Sequence, residues 1–147
     1  MKPPRLVICC ILVVSTILWS CGNEGAADEP PTIAYGRDTC DRCGMIISDE
    51  RFAAGLVSPD GGQSVYDDAG EMIADIQEQG LGSRRPWVHD YDSATWIDAA
   101  QAFFAVGSNV DTPMATGVIA FKEFEAATAF TGAHGGTVKT WEEILAD

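Results

Sequence analysis

The chain has 147 residues, 46% of them hydrophobic and 21% charged, with nine basic residues against 22 acidic ones and a formal charge of −13. That length allows one domain, or one domain built from two similar halves. A surface this acidic repels phosphate backbones and anionic headgroups, which excludes nucleic-acid binding, and it attracts cations or a basic partner. A salt-adapted or simply soluble acidic protein has the same composition, so charge alone names no function.

Lys2 and Arg5 precede an apolar run, Leu6–Trp19, broken only by Ser15 and Thr16, and Ser20, Cys21 and Gly22 follow. Charge, apolar stretch and small residues in that order form an export signal over residues 1–20. The run is short for a transmembrane helix, which needs about 20 residues. Leu18-Trp19-Ser20-Cys21 resembles a bacterial lipobox, with Cys21 as the lipid-bearing N-terminus of the mature chain. The chain is then expected on the extracytoplasmic face of a bacterial membrane, the periplasmic side in a Gram-negative cell, and held by its lipid alone. From Cys21 onward seven basic residues face all 22 acidic ones, a formal charge of −15. Residues 21–32, rich in Gly, Pro and acids, read as a flexible tether, with the folded domain at 33–147.

Within the domain, period-2 and short apolar runs alternate with helical patches. FAAGLVS (52–58) predicts a strand, PDGG (59–62) a hairpin turn and QSVY (63–66) the partner strand. Asp67 and Asp68 open a helix to about Gln79, in which Ala69, Met72, Ile73 and Ile76 follow helical spacing. Met72 is therefore expected in the core. GLGSRRP breaks the chain and WVHDY (87–91) predicts a strand. The order then repeats: AFFAV (102–106) as a strand, SNVDTPM (108–114) as a loop, GVIAF (117–121) as a strand, KEFEAATAF (122–130) as a helix, TGAHGG (131–136) as a break and TVKTW (137–141) as a strand. The pattern predicts an α+β fold of two degenerate ββαβ-like halves, about 33–92 and 93–147, sharing one core.

Cys9 and Cys10 leave with the signal and Cys21 is consumed by lipid, so the domain keeps only Cys40 and Cys43, in DTCDRCGMII (38–47). Covalent haem attachment needs a His after the second Cys, where Gly44 stands. A zinc ribbon needs a second ligand pair, for which only His89 and His134 are on offer. A thioredoxin-like site belongs at a helix start in a βαβ frame, whereas β-branched residues and a hairpin follow here. A structural disulfide closing so short a loop would constrain the unfolded chain little. Cu(I) is soft and favours thiolate and thioether donors, which also accounts for Met45, two residues after Cys43. In an extended chain that spacing puts both side chains on one face. Met114, in a loop stiffened by Pro113, offers a second thioether. His134 sits in a Gly-rich turn from which an imidazole can reach a metal, though a hydrogen-bonded or surface His, for it as for His89, is the commoner arrangement. Asp67 and Asp68 suit either a helix start or a place around the metal.

Together with the lipobox and tether, C-x-x-C-G-M at 40–45, WIDAAQAFFAVGSNVDTPM at 96–114, GVIAF at 117–121 and HGG at 134–136 resemble the NosL family, lipoprotein copper chaperones associated with maturation of nitrous oxide reductase. The resemblance spans nearly the whole chain. It implies a monomeric Cu(I)-binding protein of two ββαβ-like halves, akin to part of the organomercurial lyase fold. It further implies delivery of copper to the reductase through a membrane assembly containing an ABC transporter and a periplasmic β-helical protein. By position it makes Cys43 and Met45 copper donors with Cys40 beside them, then Met114 in the T/S-P-M element, then His134. The competing reading is an enzyme, a thiol-disulfide oxidoreductase or an organomercurial-lyase-like protein using Cys40 and Cys43 with an acid such as Asp67. Against it, the sequence offers no Ser-His-Asp arrangement, phosphate-cradling Gly loop or helical H-x-x-x-H, so the expected function is non-enzymatic.

Overall fold

Strand β1 (Ala54–Val57) is buried at all four positions because it is covered on both edges and both faces. Its hairpin partner β2 (Gln63–Tyr66) lies on one side, with Ala54 opposite Tyr66, and β3 (Arg85–His89) on the other, with Ala54 opposite Val88. Helix α1 (Ala69–Gln79) connects β2 to β3. A fourth strand, β4 (Trp96–Asp98), joins the outer edge of β3. The second half repeats the plan: β5 (Phe103–Val106) is central between β6 (Val118–Phe121) and β7 (Thr137–Thr140), with α2 (Phe124–His134) between β6 and β7. The sheet orders are β2-β1-β3-β4 and β6-β5-β7, antiparallel throughout. The protein is thus α+β, with the same ββαβ path traced twice. This computed structural model describes residues 25–147, so the export signal and Cys21 lie outside the described residues.

One core joins the halves. Leu56, Tyr66, Met72, Ile73, Ile76 and Val88 from the first half pack with Phe104, Val118, Ala120, Trp141 and Ile144 from the second. The alternate residues of the second sheet, Ala105, Ile119 and Phe121, face a separate cluster with Phe52 and Ala127 of α2. Because side chains alternate across a strand, the second sheet is buried on both faces, which is why GVIAF is uninterruptedly apolar. Met72 is fully buried in the shared core, as its helical spacing predicts.

Several boundaries differ from the sequence expectation, each for a local reason. The strand expected at 87–91 runs from 85 to 89, because Asp90 instead opens a turn, accepting from Ser93 N and Oγ and from Lys122 N. That turn leads into β4, whose three residues were too few to show a period. Helix α2 continues past 130 to His134 and stops at Gly135 (φ 76°), whose N–H bonds back to Thr131 O. The last strand ends at Thr140 rather than 141. There Thr140 and Glu143 form a capping box that starts α3 (Trp141–Leu145) and turns Trp141 into the core. The stretch read as tether is already docked at its end: Asp28 pairs with Arg85, Thr32 N donates to Gln63 Oε1, and Pro31 is buried against Gly55.

Candidate metal centre

Residues 38–47 form a tight hairpin ahead of β1. Ile47 N donates to Asp38 O (2.9 Å), Thr39 and Ile46 bridge, and Cys40 N donates to Met45 O (2.8 Å). At the tip Gly44 N reaches Cys40 O (2.9 Å) with Gly44 at φ 75°, a left-handed conformation that favours glycine. The tip folds Cys43 N to within 3.5 Å of Cys40 Sγ, so an amide dipole points at the first sulfur. The two residues between the cysteines clamp this tip to the fold. Asp41 pairs with both backbone groups of Val65 on the open edge of β2 (N to O 2.8 Å; Oδ2 from N 2.7 Å). Arg42 grips Glu78 of α1 with two bonds (2.9 and 2.6 Å) and lies 3.3 Å from Glu71. Both cysteines are free thiols, Cys40 buried and Cys43 half-buried.

Behind the tip stands the β2–α1 junction. The buried Asp67 carboxylate lies 3.5 and 3.6 Å from Cys43 Sγ. Burial, with Cys40 and Asp67 adding to it against the Met45 amide, pushes the Cys43 thiol up to about 12. Burial also raises the Glu71 carboxyl, with Asp67 and Asp68 pushing the same way and Arg42 opposing. Sγ of Cys40, Sγ of Cys43 and a Glu71 oxygen all lie within 4.8 Å of one another, the metal-competent group found among the described residues.

Asp68 ties the second half to this junction. It is fully buried, and its Oδ1 accepts from Gly70 N (2.8 Å), capping α1, and from Thr116 Oγ1 (2.5 Å). Its Oδ2 accepts from Met114 N (3.2 Å). The Met114 loop is a turn with Pro113 second, closed by Ala115 N to Thr112 O (2.9 Å) and by Gly117 N to Thr112 Oγ1 (3.2 Å). Consecutive aspartates therefore address the two sulfur-bearing loops: Asp67 touches Cys43, and Asp68 holds the backbone of Met114.

A sequence model of the NosL family matches residues 31–147. The chain belongs to the NosL family. It is 30% identical over 139 residues to the copper-binding lipoprotein NosL of Stutzerimonas stutzeri, covering 86% of this chain and 73% of the relative. Its fold is that of the crystal structure of the copper chaperone NosL from Shewanella denitrificans, with a TM-score of 0.66, 22% identity, and coverage of 78% of this chain and 96% of that one.

Of the residues that the NosL resemblance singled out, Cys40, Cys43 and Met45 share the hairpin, Met45 being 51% exposed, and Asp68 brings the Met114 loop to the adjoining junction. His134 is placed differently from expectation. It ends α2 rather than lying in a free turn, stacks on Phe130 (ring centroids 4.6 Å apart) and has its carbonyl bound by Asn109 N. His89 is a core group: Nδ1 meets Ala53 O at 3.0 Å, Nε2 meets Tyr35 Oη at 3.3 Å, and the ring stacks on Trp96 at 3.7 Å. Sequence reasoning passed over Asp41, Arg42 and Glu71. The only sequence signal for them was position, within C-x-x-C and in the first turn of an acid-led helix.

Proposed function

We propose that this chain is an extracytoplasmic Cu(I) carrier, lipid-anchored through Cys21, that hands copper to the assembly of nitrous oxide reductase copper centres. Support comes from family membership and from relatives named as a copper-binding lipoprotein and a copper chaperone. The carrying observation is the hairpin that presents two free thiols, one of them partly accessible, beside an exposed thioether. Thiolate and thioether are the donors that a soft monovalent ion selects. In this reading Cys43 and Met45 hold the ion with Cys40 beside them, Met114 contributes from the second half, and His134 is a further donor if α2 unwinds at its end.

A carrier must also release its cargo. A site near the surface lets an acceptor sulfur or imidazole join the ion before Met45 and Cys43 leave it. The acceptor route in this reading is the membrane assembly of an ABC transporter and a periplasmic β-helical protein, and the −15 charge of the chain from Cys21 onward would orient it toward a basic docking face by charge complementarity.

The oxidoreductase or lyase reading asks for an activated thiolate. Such cysteines sit at helix N-termini or beside cations that lower their pKa. Cys43 sits on a hairpin beside a buried carboxylate, and its thiol is pushed up rather than down.

The test is an anaerobic competition titration of the reduced chain with Cu(I) against a chromophoric chelator. One tightly bound copper per chain is expected, lost in Cys43→Ala and weakened in Met114→Ala. Unchanged affinity in Cys43→Ala would remove the site assignment.

A further inference from the structure

Residues 26–35 cross the outer face of the first sheet as a strap, running against β1 from one end of the sheet to the other. Ala26 Cβ lies 3.8 Å from where a Cβ on Gly61 would stand, at the β1–β2 turn. Asp28 pairs with Arg85 at the start of β3, and Thr32 N donates to Gln63 Oε1 (3.1 Å). Pro31 is buried on Gly55, where a Cβ would come within 2.5 Å of Pro31 Cγ, so glycine alone lets the strap lie this close. Pro30 and Pro31 favour an extended course here. At the far end Tyr35 Oη meets Nε2 of His89, the last residue of β3 (3.3 Å), and Gly36 N donates to Ile47 O (2.8 Å), where the cysteine hairpin closes. The strap therefore starts at the β1–β2 turn and finishes at the opposite end of the sheet. That is the end of the hairpin, where Cys43 lies against Asp67 just beyond β2.

We propose that this strap sets the pose of the lipid-anchored domain, with the β1–β2 turn toward the membrane and the cysteine hairpin facing away from it. The inference rests on the reading of Cys21 as the lipid-bearing residue. Cys21 precedes Ala26 by five residues, a reach of at most about 18 Å, so the turn is held within that distance of the anchor. From Gln63 to Asp67 the chain then runs about 13 Å away from the turn, and the hairpin lies at that far end. With the strap undocked, Cys21 would join the fold only near Gly36, and about 50 Å of chain would let any face turn to the membrane. The membrane-facing end carries Asp28, Glu29 and Asp60, while Arg85 is already paired with Asp28 and Asp98. Anionic headgroups repel that end, so the domain stands off the surface. An acceptor therefore meets the hairpin from the aqueous side and not at headgroup level.

The test uses the lipidated chain in phosphatidylcholine nanodiscs doped with a lipid whose headgroup carries gadolinium, and reads the loss of backbone amide NMR signals. Amides of residues 26–30 and 58–62 should lose their signals first as the gadolinium lipid is raised, and those of 40–46 last. Asp28→Lys combined with Pro31→Gly undoes the first half of the strap without touching a proposed copper donor. Signal loss should then spread over all faces of the domain, while the chelator competition still finds the native Cu(I) affinity. Loss that begins at 40–46, loss that is equal over the native surface, or a gradient unchanged in the double variant would each overturn the pose. The native gradient stands as a test without the variant. Absence of an acyl mass on Cys21 would overturn the anchor reading and the pose with it, whereas failure to bind Cu(I) would overturn the carrier reading alone.

Discussion

Two neighbouring residues do most to set up the site, and they do so differently. Asp68 has both carboxylate oxygens occupied by donors from α1 and the Met114 loop, with no exposure to water. Asp68→Ala removes a helix cap and leaves Met114 N and Thr116 Oγ1 without their acceptor. From typical cap and charged hydrogen-bond contributions the loss is about 2–4 kcal/mol by urea denaturation. Asp67 instead lies against the thiol of Cys43, the proposed copper donor, and adds its charge to the burial that dominates the thiol's shift. With burial first among the causes that push the thiol up to about 12, Cys43 holds its proton in the neutral range, and in the proposed carrier it would release that proton on taking up Cu(I). Apparent Cu(I) affinity should therefore rise about tenfold per pH unit between pH 6 and 9. Asp67→Asn removes a negative charge beside the sulfur and should raise affinity at fixed pH, as read by the same chelator competition. A pH-independent affinity would mean that Cys43 is not a ligand or is ionised before metal arrives.

At the scale of elements, the Met114 loop packs directly on the first turn of α1. A Cβ on Gly70 would lie 2.4 Å from Thr116 Cβ and Oγ1, so only glycine permits the contact. Gly70→Ala should displace the loop, costing roughly 1–3 kcal/mol as overpacking does, and should weaken Cu(I) binding through Met114 while leaving the Cys40–Cys43 hairpin folded. Chemical-shift changes confined to residues 67–72 and 112–118 would show this; changes spread over 38–47 would contradict it. The sequence made the two ββαβ units legible because their strands are apolar and their first helix has a clear period. It also made the hairpin cysteines legible, because C-x-x-C-G-M is local. It hid β4, which is three residues long, and α3, whose cap Thr140 and first residue Trp141 lay inside what reads as a strand with β-branched Thr and Val. The contacts that assemble the centre were beyond reach for a different reason. Asp68 to Met114 spans 46 residues and Arg42 to Glu78 spans 36, and no local pattern encodes which acid of several meets which loop.

Over the whole molecule, the groups that titrate near neutrality limit the pH range of stability. His89 is buried and satisfied as a neutral ring, with Nδ1 donating to Ala53 O and Nε2 accepting from Tyr35 Oη. Burial lowers its pKa. A depressed pKa means that the unfolded chain takes up the proton first. The stabilisation is therefore complete above the unfolded value of about 6.5 and is lost as pH falls through the folded value. The slope cannot exceed about 1.4 kcal/mol per pH unit for one proton. As pH falls toward the ordinary carboxyl range the opposing contribution is Glu71, raised by burial first, which favours the folded state as it protonates. At the alkaline end Cys43 and Tyr35 are each pushed up to about 12, and Tyr66 is also raised, by burial first in every case. Each holds its proton in the folded state, so stability declines as pH rises above about 9, where the unfolded thiol ionises first. Urea midpoints measured from pH 8 to 5 should fall for the native chain. In His89→Gln, already less stable at pH 8, they should stay level or rise with Glu71. Parallel curves for the two proteins would place the acid sensitivity elsewhere among the 22 acidic residues.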